Sequence, residues 1–465
     1  MVIMTVRELA AVLRGRVLGQ HGQSVIVSPG RITEPPSGQV FFLRRIRTTE
    51  NNVLQNLLRG GISCVVASPA LRISSDLWNH SGISIILVSN VRVAYMRFAQ
   101  YNRSRFKIPF VQVIGSAGKT TTKEMIAAVA RERFTALVSR ENLNHPLEVA
   151  YRLTRLSNEH EVGIIEAGMN GPGTMRVSSR MIRPTIAVLT SIQRSHLPRL
   201  GSIDGIIRAK AEIMEFLAPN GTLIINGEDQ NSSKFPIQNF RGKVLRHGFS
   251  SRFDLWATDI ESRGFETRFN ARGKGFNLIC SINTFGSYNV GNALAAILVG
   301  RELGLTNSEI TRGLAKYQPV EGRLTPHRAR NRALIINDNF NANPDSTGLL
   351  MEELKSLARD KRVVLVLGDM EPPTDDIAEY AKRIHYEVGQ KLADCRLSHV
   401  LVVGKWASEY RRGAVAAGFP KEKIEYFPTV AAAQNRFVQL AAPDTVVVLK
   451  SSHSVRLDRL MEAVM

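Results

Sequence analysis

Apolar residues along this chain fall into two alternating rhythms. Unbroken apolar runs at 333–336, 362–367, 399–403 and 445–449 have the length of strands buried on both faces of a parallel sheet. Similar strand candidates stand at 111–114, 163–166, 185–190 and 222–226, with added strands at 241–248 and 276–282. Between them, apolar positions recur at helical spacing over 206–217, 289–303, 347–358, 377–392 and 431–441. Upstream, short strands at 24–27, 40–43, 63–67 and 84–88 alternate with helical stretches at 6–13, 52–58 and 91–101. Strand–helix alternation on this scale predicts an α/β chain. Pro109 marks one boundary, and Tyr317-Gln318-Pro319-Val320-Glu321-Gly322-Arg323 has the Pro and Gly content of a linker. Three domains follow: a small α/β unit at 1–107, a doubly wound unit at 108–320 and a Rossmann-like α/β unit at 321–465.

Composition narrows the setting. At 465 residues, with 44% hydrophobic and 22% charged residues, the chain is an ordinary globular protein too long for one core. No apolar run is long enough to cross a membrane, and residues 1–18 carry Arg7, Glu8 and Arg14 in an amphipathic pattern unlike a signal peptide. Cys64, Cys280 and Cys395 are isolated and lack metal-ligand spacing, which suits a reducing compartment. A cytoplasmic protein, monomeric, is expected. The net charge of +20 is spread along the whole chain, which predicts a solvated basic surface and no nucleic-acid partner.

The strongest chemical signal is Val111-Gln112-Val113-Ile114-Gly115-Ser116-Ala117-Gly118-Lys119-Thr120-Thr121-Thr122. A buried strand, a glycine-bracketed turn and a helix start together make an anion site: turn amides and the helix dipole face the phosphates, Lys119 neutralises their oxygens, and the Thr120 hydroxyl suits Mg²⁺. The spacing is G-x-x-G-K-T, shorter than the common phosphate loop. Gly115, Ser116, Ala117, Gly118, Lys119, Thr120 and Thr121 are therefore read as a nucleoside triphosphate site.

Other residues gain meaning beside it. Glu166 ends an apolar strand, where a carboxylate is placed to hold Mg²⁺ on the nucleotide. His196 follows the next strand; taken singly it is a packed or surface histidine as readily as a ligand. Lys210 taken singly is a helix-surface lysine. Asn289 and Asn292, at i and i+3, cap a helix or read an adenine edge. Arg323 and Asp338 flank the linker and the first strand of the last unit, and Asp338 to Ser346 is an Asx-dense turn.

Taken in order, these pieces make the chain resemble the Mur ligase family over almost its full length. The matching segments are Gly115–Met125, Glu166-Ala167-Gly168-Met169-Asn170, Arg183-Pro184, His196-Leu197, Ala209-Lys210-Ala211-Glu212-Ile213, Asn289 with Asn292-Ala293-Leu294, Gly322-Arg323, and Asp338 with Asn341-Ala342-Asn343-Pro344. The Asx-dense turn and Gly368-Asp369-Met370 point, within the family, to the ligases that add D-alanyl-D-alanine to a muramyl peptide. The resemblance implies ATP-driven activation of a carboxylate to an acyl phosphate, then displacement of phosphate by an amine. By it, Lys119 holds phosphates, Thr120 and Glu166 a first Mg²⁺, and His196 a second metal; Lys210 is carbamylated and also serves as a metal ligand. Asn289 and Asn292 face the adenine, Arg323 the phosphates and Asp338 the ribose, with the linker as a hinge.

Departures gather on the substrate side. Where the family's first domain carries aspartate-serine-arginine and aspartate-glycine-histidine motifs, this chain has Ser28-Pro29-Gly30-Arg31 and Ile46-Arg47-Thr48-Thr49-Glu50. Asn142-Leu143-Asn144 keeps two asparagines of a longer run near the acceptor, Gln193-Arg194-Ser195 replaces familiar residues, Tyr288 stands where a histidine is usual, and Lys450-Ser451-Ser452 retains only the lysine of its motif. Two alternatives therefore stand beside the muramyl-peptide ligase: a paralogous ligase joining another carboxylate and amine, and a nucleotide-binding protein without turnover.

Overall fold

The computed structural model describes residues 2–18, 23–27, 39–43, 57, 59–69, 83–140, 143–194, 200–370 and 378–465. His196, Asn142, the two altered first-domain motifs and, apart from Leu57, the helix expected at 52–58 lie outside these residues.

The first unit contains β1 (Val2–Thr5), α1 (Val6–Leu13), β2 (Arg16–Leu18), β3 (Ser24–Val27), β4 (Val40–Phe42), β5 (Cys64–Ala67), β6 (Ser84–Leu87) and α2 (Val91–Ser104). Thr5 and Glu8 cap α1 reciprocally, satisfying amides that the helix leaves open. The sheet runs β2-β6-β5-β4, with β1 and β3 paired apart from it. Helix α2 ties this unit to the next: the Asn102 amide donates to Leu153 O at 2.8 Å and Arg103 Nε to Ile182 O at 2.8 Å.

The second unit holds β7 (Phe110–Ile114), α3 (Lys119–Ala130), β8 (Ala136–Val138), α4 (Pro146–Thr154), β9 (Val162–Glu166), α5 (Thr174–Ile182), β10 (Ile186–Leu189), α6 (Ile203–Ala211), β11 (Thr222–Asn226), β12 (Lys243–Gly248), β13 (Leu255–Arg263), β14 (Glu266–Gly273), β15 (Phe276–Ile282), α7 (Ser287–Glu302) and α8 (Asn307–Ala315). Its nine-stranded sheet has the order β15-β14-β13-β12-β11-β10-β7-β9-β8. Strands β7, β9 and β10 are parallel, with β9 on one side of β7 and β10 on the other. Chain direction across the sheet thus reverses at β7, and a crevice opens at the carboxyl ends of these strands. Strands β13 and β14 did not stand out in the sequence because their outer positions are charged, as at Glu261, Arg263, Arg268 and Arg272, leaving no unbroken apolar run. The helix expected over 206–217 ends at Ala211 and tightens into a short turn, where Glu212 accepts from Gly173 N and Arg176 N and so caps α5.

The third unit comprises β16 (Thr325–Arg328), β17 (Leu334–Asp338), α9 (Pro344–Asp360), β18 (Arg362–Gly368), α10 (Ala378–Gln390), β19 (His399–Val403), α11 (Ala407–Ala416), β20 (Ile424–Phe427), α12 (Val430–Leu440), β21 (Thr445–Lys450) and α13 (Asp458–Glu462). The sheet order is β16-β17-β21-β18-β19-β20, parallel except for β16. Separate apolar clusters cover its two faces, which is why its strands read as continuous apolar runs. Asp369, of the Gly-Asp-Met segment, accepts from Lys405 N and Trp406 N, fixing the entry to α11.

Two histidines are buried in neutral form. Neither ring nitrogen of His247 has a hydrogen-bond partner, and burial pushes its pKa down to about 4. His385 accepts from Met370 N at 3.0 Å on Nε2, leaving Nδ1–H to donate to Ala381 O; burial, partly opposed by that bond, again brings the pKa to about 4. Between that value and the ordinary histidine pKa near 6.5 the unfolded chain binds more protons than the folded one. Stability is therefore complete above pH ~6.5 and falls as pH drops toward 4, by roughly 3 kcal/mol per histidine. Urea unfolding near pH 7 and near pH 4.5 should show this loss, and His247→Leu should remove about half of it.

Candidate active site

The phosphate loop joins β7 to α3 and requires glycine at both ends. Gly115 has φ +151° and Gly118 φ +78°; a Cβ at Gly115 would lie 1.9 Å from Thr190 Oγ1 and one at Gly118 2.8 Å from Asn292 Oδ1. The segment after β10 braces the turn. Ser116 N donates to Ser191 O at 2.8 Å, Gln193 N to Ser116 Oγ at 3.0 Å and Ala117 N to Ser191 Oγ at 3.1 Å. Lys119 Nζ donates to Gly115 O and Ser116 O at 3.1 and 3.4 Å, which holds the cation over the turn. Burial depresses its pKa; Glu166 opposes the shift and Arg323 adds to it.

Behind the loop, Thr120 Oγ1 donates to Glu166 Oε2 at 2.9 Å and Asn144 Nδ2 to Glu166 Oε1 at 2.7 Å. Glu166 N donates to Ser139 Oγ at 2.9 Å, which fixes the strand end that carries the carboxylate. A hydroxyl beside a buried carboxylate is a hard-oxygen pair of the kind Mg²⁺ takes. Among the described residues no three His, Cys, Asp or Glu side chains converge, so such an ion would complete its shell with phosphate oxygens and water.

Lys210 is not on the surface, as an isolated helix lysine would be; it is 2% exposed. Burial first, and the neighbouring Lys119 cation second, push its pKa well below the ordinary lysine value against the pull of Asp229. A buried lysine within electrostatic reach of a second, half-buried one favours the neutral amine.

The other expected residues converge on the same place. A cleft of about 910 Å³ between the second and third units is lined by the phosphate loop, Asn289, Asn292, Arg323, Asp338 and Lys450, with Glu166 just behind Thr120. Asn289 is 3% exposed and donates to Thr284 Oγ1 and Phe285 O, while accepting from Asn292 Nδ2. Asn292 Oδ1 in turn accepts from Thr122 Oγ1 at 3.0 Å, linking α7 to α3. Arg323 lies over the Phe340 ring, 4.5 Å from its centroid; burial lowers its pKa, and Asp338 and Glu166 oppose the shift. Asp338 Oδ2 accepts from Lys450 Nζ at 2.6 Å, and the same Nζ donates to Asn341 O. The lysine retained from its altered motif thus orients the carboxylate at the end of β17.

Asp229 escaped the sequence reading. Its Oδ2 accepts from Ile192 N at 2.5 Å and from Ser232 Oγ, so it anchors the segment that braces the phosphate loop. The signal was available: like Glu166, it is an acid following the carboxyl end of a parallel strand.

Comparison with known proteins bears on the whole chain. Residues 113–300 match the Mur ligase middle domain, and residues 322–453 match the Mur ligase glutamate ligase domain. The chain is 26% identical over 466 residues to the UDP-N-acetylmuramoyl-tripeptide--D-alanyl-D-alanine ligase of Escherichia coli (strain K12), covering 100% of this chain and 98% of that one. Identity to the protein of the same name from Haemophilus influenzae is 28% over 405 residues, covering 84% of this chain and 83% of the relative. The crystal structure of MurF from Acinetobacter baumannii superimposes with a TM-score of 0.85 at 26% identity, covering 99% of this chain and 98% of that one.

Proposed function

Because this chain belongs to the Mur ligase family, we propose that it is an ATP-dependent, ADP-forming ligase that joins D-alanyl-D-alanine to UDP-N-acetylmuramoyl-tripeptide for peptidoglycan precursor synthesis. The observation that carries the reading is a single cleft lined by Lys119 of the second domain and Arg323 of the third, with the Glu166 carboxylate behind Thr120. A cleft completed by its own third domain suits a monomer, and cytoplasmic location belongs to the same reading.

The chemistry asks for positioning and charge neutralisation rather than a protein nucleophile. A substrate carboxylate oxygen attacks the γ-phosphorus of ATP and ADP leaves, giving an acyl phosphate. The amine nitrogen then attacks the acyl carbon, phosphate departs with the C–O electron pair, and the nitrogen loses a proton. Loop amides and Lys119 face the phosphates, and Arg323 brings a second cation from the third domain. Thr120 and Glu166 would hold Mg²⁺, which supplies positive charge to the phosphate oxygens. Asn144 keeps Glu166 oriented for that role. In this reading Lys210 is carbamylated and serves as an anionic ligand, His196 serves a second metal, Asp338 faces the ribose, and Asn289 and Asn292 shape the adenine side. Closure of the third domain keeps water from the acyl phosphate.

The altered Ser28–Arg31 and Ile46–Glu50 segments favour a second reading, a ligase of the same mechanism acting on another carboxylate and amine. Amine-dependent phosphate release from ATP separates the two. With UDP-N-acetylmuramoyl-tripeptide, D-alanyl-D-alanine should accelerate release at least tenfold over amine-free controls. Release with other pairs only would select the second reading, and none with any pair, alongside tight ATP binding, would leave a nucleotide-binding protein without turnover.

A further inference from the structure

We propose that Arg194 is a positioning residue that transmits closure of the third domain to the phosphate loop; the proposal rests on the ligase reading above. Arg194 belongs to the segment that follows β10, and among the described residues its hydrogen bonds reach the third domain. Its backbone N–H donates to Asp345 Oδ2 at 2.9 Å, Nε and Nη2 to Asp345 Oδ1 at 3.1 and 3.0 Å, and Nη1 to Glu387 Oε2 at 3.0 Å. Asp345 sits in the first turn of α9 and Glu387 on α10. One residue earlier, Gln193 N donates to Ser116 Oγ and Gln193 O accepts from it. Asp229 and Asn231 hold Ile192 from the opposite side. A continuous run of hydrogen bonds therefore leads from the first turn of α9, through two consecutive residues, into the turn that cradles phosphate.

The carboxylate end of this run is itself held still. Asn343 and Ser346 cap α9 reciprocally and Pro344 presets its first turn, so the Asx-dense segment gives Asp345 little freedom. A second grip lies further along the same helix, where Glu353 accepts from Ser287 N and Oγ at the start of α7. Among the described residues helix α9 thus grips the second domain through both Asp345 and Glu353; the Arg194 contact leads to the phosphate loop through one backbone step, the Ser287 contact only by way of α7 and Asn292. The side chains of Arg194 and Asp345 are 37% and 28% exposed, so the pair adds little to stability; its fork geometry sets orientation.

The test uses the full-length protein with three readouts: amine-dependent phosphate release, melting temperature, and X-ray scattering with and without a non-hydrolysable ATP analogue. Arg194→Met should lower kcat about tenfold, raise KM for ATP, and abolish the compaction that the analogue produces in the wild type, with the melting temperature little changed. Arg194→Lys should recover part of the loss. Asp345→Asn should behave like Arg194→Met, and the double variant should be no worse than the worse single one, because both remove one contact. Unchanged kcat, KM and compaction in Arg194→Met, or additive losses in the double variant, would overturn the proposal. A wild type that releases no phosphate with any pair counts against the ligase reading alone; scattering then decides the clamp, and compaction that survives Arg194→Met overturns it.

Discussion

Lys119→Ala is expected to lower ligase turnover by roughly three orders of magnitude while its melting temperature stays within a few degrees of the wild type. The size of the effect follows from where the cation stands. Its amine lies over the turn on Gly115 O and Ser116 O, half-buried, beside Glu166 and within electrostatic reach of Arg323. In a site shielded from water, a charge aimed at the transferring phosphoryl group is worth far more than on the surface. The fold has little stake in it, because the loop is braced by Ser191 and Gln193 through Ser116 and Ala117 rather than by the lysine. Melting curves and phosphate-release assays on one preparation make the check. Turnover within tenfold of the wild type would remove Lys119 from the phosphate site.

Lys210 should give the next largest effect, with the opposite consequence for stability. Lys210→Ala is expected to lose about a hundredfold in turnover, and short carboxylates such as formate or acetate should restore part of it. Carbon dioxide adds only to a neutral amine, releasing a proton, and burial together with Lys119 drives Lys210 toward that form. Added bicarbonate should therefore raise wild-type activity and leave Lys210→Ala unchanged. A pKa depressed on folding means that the unfolded chain binds the extra proton, so below the ordinary lysine pKa near 10.4 the uncarbamylated amine lowers stability. Lys210→Met keeps the volume and removes that burden; it should melt several degrees higher in bicarbonate-free buffer while losing turnover as Lys210→Ala does. A lower melting temperature in that variant would show Lys210 to be a stabilising core residue.

Much of the lining of this cleft is legible in the sequence. The phosphate loop carries its own context, since a strand, two glycines and a helix start are local and each restricts the backbone by sterics alone. Glu166 was legible for a related reason: the carboxyl ends of parallel strands collect ligand residues whatever the rest of the chain does. The apolar runs of the third unit marked its strands because helices cover both faces of that sheet. Strands β13 and β14 carry the opposite lesson. In β14 charged residues alternate with buried ones and the second half of β13 is exposed throughout, so neither strand shows the unbroken apolar run that marks a strand buried on both faces.

What the amino-acid order determined alone is therefore local: element type where the period is clear, the glycine-bracketed turn before Lys119, the Asx-dense turn that leads into α9, and the alternation that makes the chain α/β. What only the tertiary structure decided depends on distances between segments far apart in sequence. No spacing rule places Lys450 on Asp338, Asp345 on Arg194, or Lys210 near Lys119. Nor does a helix pattern tell a solvated lysine from one that is 2% exposed. Local rules work through steric and hydrogen-bond constraints within a few residues. Burial and charge pairing are set by which surfaces meet when the second and third domains come together, and there the chemistry of this cleft is decided.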